Sequence, residues 1–145
     1  MIPRRGFSLI EAVVVIVIAG VILALAIPVF TDQESKASHF QEQVKAGVRY
    51  AQRQAVAQRR CVFVSVTGTD VSLFYGDAGC AITGTPVADI ASGAPYVLTA
   101  PSGVTIAPPT PAQFSFSGLG RPSAGVAFSV GGHSVNVEAE TGYVR

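Results

Sequence analysis

Hydrophobic and polar positions along this chain change period twice, and each change predicts a different element. From Ala12 to Phe30 nineteen residues carry no charge and are almost all apolar. At about 1.5 Å per residue such a helix spans close to 30 Å, one bilayer core. From about Asp32 to Arg60 the apolar residues fall at Ala37, Phe40, Val44, Val48, Ala51 and Ala55. Steps of three and four define one helix stripe, with Glu42, Lys45, Arg49, Arg53 and Arg59 mostly off it. Helix continuous from Phe7 to Arg60 would be about 80 Å long, the length of a rod rather than of a globular helix.

Beyond Arg60 the pattern shortens to strand-like runs. Val62–Val66 and Val71–Tyr75 flank Thr67-Gly68-Thr69-Asp70, a hairpin signal. Residues 96–100, 104–107, 113–117, 126–130 and 134–138 read as further strands, punctuated by Pro101, Pro108, Pro109, Pro111, Gly118, Gly120 and Pro122. Residues 76–95, rich in Gly, Ala, Thr and Asp, read as one long loop. The predicted class is α+β: a long amino-terminal helix, half membrane-spanning and half amphipathic, packed on a small antiparallel β head. Its segments are a leader over 1–6, an apolar helix over 7–30, a stalk helix over 31–60 and a head over 61–145.

Charge sharpens the division. The whole chain has a formal net charge of +1, which excludes a global basic field for nucleic acid. Residues 31–60 carry a net +3 and residues 61–145 a net −3. A solvated helix face explains the basic stalk; attraction between the stalk of one subunit and the head of another is the sharper alternative.

The amino terminus reads Met-Ile-Pro-Arg-Arg-Gly before Phe7-Ser8-Leu9-Ile10-Glu11. Arg4 and Arg5 would hold that end in the cytoplasm and direct the rest of the chain outward. A Sec or twin-arginine signal peptide fits the Arg-Arg-Gly-Phe start and the Ala24-Leu25-Ala26 sequence. A plain anchor fits the apolar run. A leader cut before the run, after Gly6, is the third reading, and Glu11 favours it. A carboxylate inside an apolar helix costs a few kcal/mol on insertion scales unless it has a partner. Cutting after Gly6 creates one, a new amino group on Phe7, and low dielectric between subunits would strengthen the attraction.

Cys61 and Cys80 have no nearby His or Cys partners, which argues against a metal site. An outward-facing head lies in a disulfide-permissive compartment. A bridge would close a loop of about 20 residues, worth roughly 3 kcal/mol in the chain-entropy model. Two unpaired thiols are the alternative.

Gly6-Phe7-Ser8-Leu9-Ile10-Glu11, followed at once by the apolar helix, resembles the processing site of type IV pilins and type II secretion pseudopilins. The resemblance implies cleavage after Gly6 by a prepilin peptidase, N-methylation of Phe7, an assembly role for Glu11, and a helix-bending proline at Pro28. Pro28 would remove one helix hydrogen bond and crowd the carbonyl of Ala24. Residues 51–60 ahead of a strand, Phe114 to Pro122, and the Glu140-Thr141-Gly142-Tyr143-Val144-Arg145 ending are similar to the GspH/FimT group. The Thr-Gly-Tyr-Val ending also resembles minor pilins of the mannose-sensitive haemagglutinin type. Implied is a minor pilin that initiates or caps a pilus, with other pilins, the peptidase and the inner membrane as partners, the head in the periplasm, and no cofactor. The H-type pseudopilin of a type II secretion system and a pilus-borne DNA- or ligand-binding subunit are the alternatives.

Some FimT-like minor pilins capture DNA through a carboxy-terminal Gly-Arg-x-Arg turn. Here the turn reads Gly142-Tyr143-Val144-Arg145, with tyrosine in place of the first arginine and Glu138 and Glu140 just before it. Phosphate binding needs clustered cations, so DNA is disfavoured. Tyr143 would stack on a base or, as the preferred reading, pack structurally. Enzymatic chemistry finds no constellation. His39 lies on the stalk, and His133 and Ser134 are neighbours that a strand points to opposite faces. No P-loop, dinucleotide fingerprint or zinc spacing occurs.

Overall fold

The computed structural model describes residues 8–25 and 32–145, which fall into two units divided after Thr31. In the first, α1 runs over Leu9–Leu25. Its apolar residues lie on every side, the signature of a helix whose surroundings are themselves apolar. Seventeen residues give a length of about 26 Å. Among the described residues no helix is long and apolar enough to cross a membrane. The uncharged run continues in sequence beyond α1 to Phe30. Pro28 and the expected continuity from Phe7 to Arg60 involve residues outside the described ones.

The second unit is built on α2, Asp32–Gln58. Its stripe of Ala37, Phe40, Val44, Val48, Ala51 and Ala55 is buried throughout. The stripe packs on two antiparallel sheets that share one core. The first has the order β3-β2-β1-β6, from β1 (Val62–Val66), β2 (Asp70–Gly76), β3 (Ile82–Pro86) and β6 (Gln113–Phe116), with β4 (Val97–Thr99) also paired to β2. The second is β5 (Ile106–Ala107), β7 (Val126–Val130) and β8 (His133–Val137) in the order β5-β7-β8.

The expected hairpin forms. Thr67 N–H donates to the Asp70 carbonyl at 2.8 Å, and the Thr67 hydroxyl accepts the Asp70 N–H at 2.8 Å. That register places Val62, Val64 and Val66 on the core face opposite Tyr75, Leu73 and Val71. Period-two alternation explains why these strands were legible.

Two expectations need correction. Residues 76–95 are not one loop. They contain β3, fully exposed along its length, and then a second hairpin. Tyr96 N–H donates to the Val87 carbonyl at 2.7 Å, Ala88 bridges Pro95, and Asp89 N–H donates to the Ala94 carbonyl at 2.8 Å. The stalk helix also stops at Gln58, short of Arg60. Arg59 adopts a φ of 51°, its N–H donates to the Val56 carbonyl, and Arg60 N–H reaches back to the Ala55 carbonyl at 3.2 Å. This is a Schellman ending with a non-glycine residue in the left-handed position.

The turn after β6 closes onto that ending. A Cβ on Gly118 would stand 2.7 Å from the Arg59 carbonyl carbon, and backbone cannot yield as a side chain can. Gly118→Ala should therefore destabilise the unit by about 1–3 kcal/mol, the cost of overpacking. The check is a urea titration of full-length protein; a loss below about 0.5 kcal/mol would show that the turn relaxes freely.

Candidate functional site

The amino-terminal end comes first. Ser8 precedes α1, and its carbonyl accepts the N–H groups of Glu11 at 3.0 Å and Ala12 at 3.1 Å. Ser8 thus occupies the N-cap and Glu11 the third helical position, the Ser-x-x-Glu spacing of a capping box. A carboxylate in the first turn also complements the helix dipole. Local helix chemistry therefore favours the glutamate found at position 11, and the Ser-x-x-Glu spacing is a signal present in the sequence alone. Glu11 is exposed. Gly6 and Phe7, the expected cleavage and methylation positions, and Pro28 lie outside the described residues.

Cys61 and Cys80 are joined in a disulfide, with Cα atoms 5.4 Å apart. Cys61 is buried where the chain enters β1, and Cys80 sits in the exposed turn after β2. Asp77 shapes that turn: its carboxylate accepts the N–H groups of Gly79 at 2.9 Å and Ala81 at 2.8 Å. Arg60 lies beside the bridge. Its guanidinium donates to the Gly76 carbonyl at 2.7 Å and stacks 4.4 Å over the Tyr75 ring.

The carboxy-terminal turn is held by α2. Gln52 donates through one amide nitrogen to the carbonyls of Gly120 and Thr141, both at 2.9 Å. Arg49 donates to the Val144 carbonyl at 2.9 Å. Residues 143–145 then run beside β8, with Asn136 and Arg145 exchanging two N–H to carbonyl bonds of 3.0 Å each. Gly142 has a φ of 69°, and a Cβ there would stand 2.9 Å from the Gly120 carbonyl oxygen. The glycine of the ending is therefore a packing requirement.

Val144, only 1% exposed, is the residue that enters the core. Tyr143 is 61% exposed, so the expectation that its ring packs structurally is corrected. Alternation decides this: with Val144 inward, Tyr143 and Arg145 face out. Glu140 pairs with Arg121 at 2.7 Å, and Glu138 accepts the Thr141 hydroxyl at 2.9 Å.

Sequence reasoning missed a polar seam along α2. Tyr50 donates to the Ala88 carbonyl at 2.9 Å, Gln54 donates to Tyr50 Oη at 2.7 Å, and Gln58 donates to both Gln54 and Tyr75. Tyr50 stacks on Tyr96 with centroids 5.2 Å apart. Burial first, then the negative Asp89 and neighbouring Tyr50, push the Tyr96 hydroxyl above the usual phenol range. The i, i+4 spacing of Tyr50, Gln54 and Gln58 was the available signal. Elsewhere, hydroxyls of Thr69 and then Thr99 hold the Asp70 carboxylate below its ordinary pKa, and a hydrogen bond from Lys45 does the same for Glu42. His39 is exposed on α2, and His133 opens β8. Among the described residues no cluster of His, Cys, Asp or Glu could hold a metal ion.

Comparison with known proteins locates both halves of the chain. The family model of the prokaryotic N-terminal methylation motif matches residues 1–27. The fold is similar to that of the type IV minor pilin FimU of Pseudomonas aeruginosa (strain PAO1), in crystal structures from two space groups. The TM-scores are 0.56 and 0.53, each at 17% identity. The matches cover 77% and 74% of this chain and 88% and 90% of the FimU chains. No curated protein sequence matches. The chain thus matches a prokaryotic N-terminal methylation motif over residues 1–27 and has a fold similar to that of FimU.

Proposed function

We propose that this chain is a minor subunit of a type IV pilus, made as a precursor and trimmed after Gly6. The new amino terminus, Phe7, is methylated. The apolar helix holds the subunit in the inner membrane, with the unit from Asp32 onward in the periplasm, until it passes into a filament. Its role there is to start or cap the assembly. One coincidence carries this reading: a methylation motif over residues 1–27 stands ahead of a head folded like the minor pilin FimU. A structural subunit rather than an enzyme is what these two likenesses support.

Glu11 is the assembly residue in this scheme. Its carboxylate, near the start of an apolar helix, balances the Phe7 amine of a neighbouring subunit and sets the register. Glu11→Leu should leave cleavage and methylation intact. Its incorporation into sheared filaments should fall by about tenfold or more, the scale of one close ion pair in a dry interface. Mass spectrometry of the mature amino terminus reads the first part. Methyl-phenylalanine at Phe7 is expected; a start at Ile27, after an Ala24-Leu25-Ala26 cut, would overturn the pilin reading. Immunoblots of sheared fractions read the second, and wild-type incorporation of the variant would remove Glu11 from assembly.

A further inference from the structure

We propose that the cavity between α2 and the 87–96 hairpin is a binding site for a primary alkylammonium group, carried by a small amine or by a lysine side chain of another protein. The cavity has a volume of about 420 Å³. Its walls come from three segments: Gln43 and Ala46 on α2, Asp89 and Ser92 in the hairpin turn, and Tyr96 and Leu98 where the chain runs on into β4. Charge picks the sign of the ligand. Asp89 is the one charged residue in this lining. It is half-buried, yet among the described residues it makes no ion pair, whereas Glu42 and Glu140 each have a cation. Lys36 and His39 line a different cavity, which shares only Gln43 with this one. A carboxylate drawn partly out of water without a counter-charge is costly, and a bound cation would offset that cost.

Unused polar groups set the shape of that cation. The hydroxyls of Tyr50 and Tyr75 have partners, but the Tyr96 hydroxyl and the Gln43 amide bond to no described residue. Tyr96 is half-buried, and among the described residues no fully buried side-chain oxygen lacks a partner, so its hydroxyl opens on accessible space. That hydroxyl lies over Gly47, where a Cβ would stand 2.9 Å from it. Burial and then the nearby Asp89 raise its pKa, so the phenol stays neutral and offers an oxygen. Asp89 accepts the Ala91 N–H at 3.3 Å on Oδ1 and the Ser92 hydroxyl at 2.9 Å on Oδ2. Each carboxylate oxygen has a second lone pair, so each can still accept. A guanidinium fork wants both oxygens in one plane, and these turn bonds already occupy that carboxylate edge. An ammonium wants three separate acceptors, and Asp89, Tyr96 and Gln43 supply one from each segment. Ala46 and Leu98 give the alkyl stem an apolar wall. A metal ion would find a single charged ligand, and no described cluster could hold one. The site belongs to the unit from Asp32 onward and does not depend on filament assembly.

The test uses full-length, isotope-labelled protein in uncharged detergent micelles at neutral pH, followed by nuclear magnetic resonance. The probes are butylamine, which is the lysine side chain cut at Cβ, together with 1-butanol, butylguanidinium and the peptide acetyl-Ala-Lys-Ala-amide. Butylamine should shift the signals of Gln43, Asp89 and Tyr96 in a saturable way. It should bind about fivefold or more tightly than 1-butanol, which has the same stem without the charge. Butylguanidinium should bind about threefold or more weakly than butylamine. Unchanged signals at the three residues in tens-of-millimolar butylamine overturn the proposal, as does equal binding of the alcohol or of the guanidinium. The peptide distinguishes the sources: tighter binding than butylamine assigns the site to a protein lysine, and weaker binding to a free amine. Asp89→Asn removes the charge while keeping an oxygen for the Ala91 N–H and an amide that can donate to the Ser92 oxygen. It should weaken butylamine about fivefold or more, and Tyr96→Phe, which deletes only the hydroxyl, about threefold. Wild-type affinity in Asp89→Asn with an undisturbed spectrum overturns the proposal, and wild-type affinity in Tyr96→Phe overturns the three-acceptor geometry.

Discussion

Phe116→Ala should cost about 3–5 kcal/mol, most of the stability of the unit from Asp32 onward. Phe116 is fully buried. It ends β6, stands across from Val62 on β1, and meets Phe114 edge-on with ring centroids 5.8 Å apart. It also reaches the carboxy-terminal turn, since its ring lies 3.1 Å from where a Cβ on Gly142 would be. Truncation would open a cavity between β6, β1 and the carboxy-terminal turn. Phe116→Leu, which keeps much of the volume, should cost less, about 1–2 kcal/mol. Urea titrations followed by far-ultraviolet circular dichroism give both numbers. Equal and small losses for the two variants would mean that the core closes around the missing ring.

Removing the disulfide should have the second-largest effect. The paired change Cys61→Ser and Cys80→Ser frees a loop with a sequence separation of 19, worth about 3 kcal/mol in the chain-entropy model. A competing stabiliser of the same turn is the Asp77 carboxylate with its two N–H donors. That turn is exposed, and each such bond contributes about 1 kcal/mol or less. The bridge should therefore outweigh the turn. Wild-type protein unfolded in the presence of reductant should match the double-serine variant within about 0.5 kcal/mol. A reductant effect absent from wild type, with free thiols detected before its addition, would show that the bridge does not form.

Much of the second unit was readable from residue order, for a physical reason. The α2 stripe repeats on a single face, and each of its six apolar positions is buried. The strands β1 and β2 alternate cleanly because only one face meets the core. Segment 76–95 was misread because β3 has no inward face: all five residues are exposed, so no alternation exists to be seen. Its anchors are Val87, fully buried, and Tyr96, stacked on α2. Two residues nine apart do not make a period. The helix end was misplaced by two residues because Arg59 takes a left-handed conformation that glycine usually marks.

The candidate site was legible unevenly. The cysteine pair followed from compartment logic, whereas the Ser8-x-x-Glu11 capping spacing at the start of α1 was present in the letters and went unread. The grip of Gln52 and Arg49 on the carboxy-terminal turn was not legible. These are polar side chains bonded to carbonyls 68 to 95 residues away in sequence. A solvent-facing glutamine and a carbonyl-clasping one look identical as letters.

The tyrosine seam gives this protein its own optical reporter. The chain has four tyrosines and no tryptophan. Three of the four are held in place: Tyr50 and Tyr96 stack, and Tyr75 lies under Arg60 with its hydroxyl accepting from Gln58. Tyr143 stands out in solvent. Asymmetric near-ultraviolet absorption should therefore come mainly from the border between α2 and the 87–96 hairpin. Undocking of that hairpin would be visible there while the far-ultraviolet signal of helix and sheet stays unchanged, with no label attached.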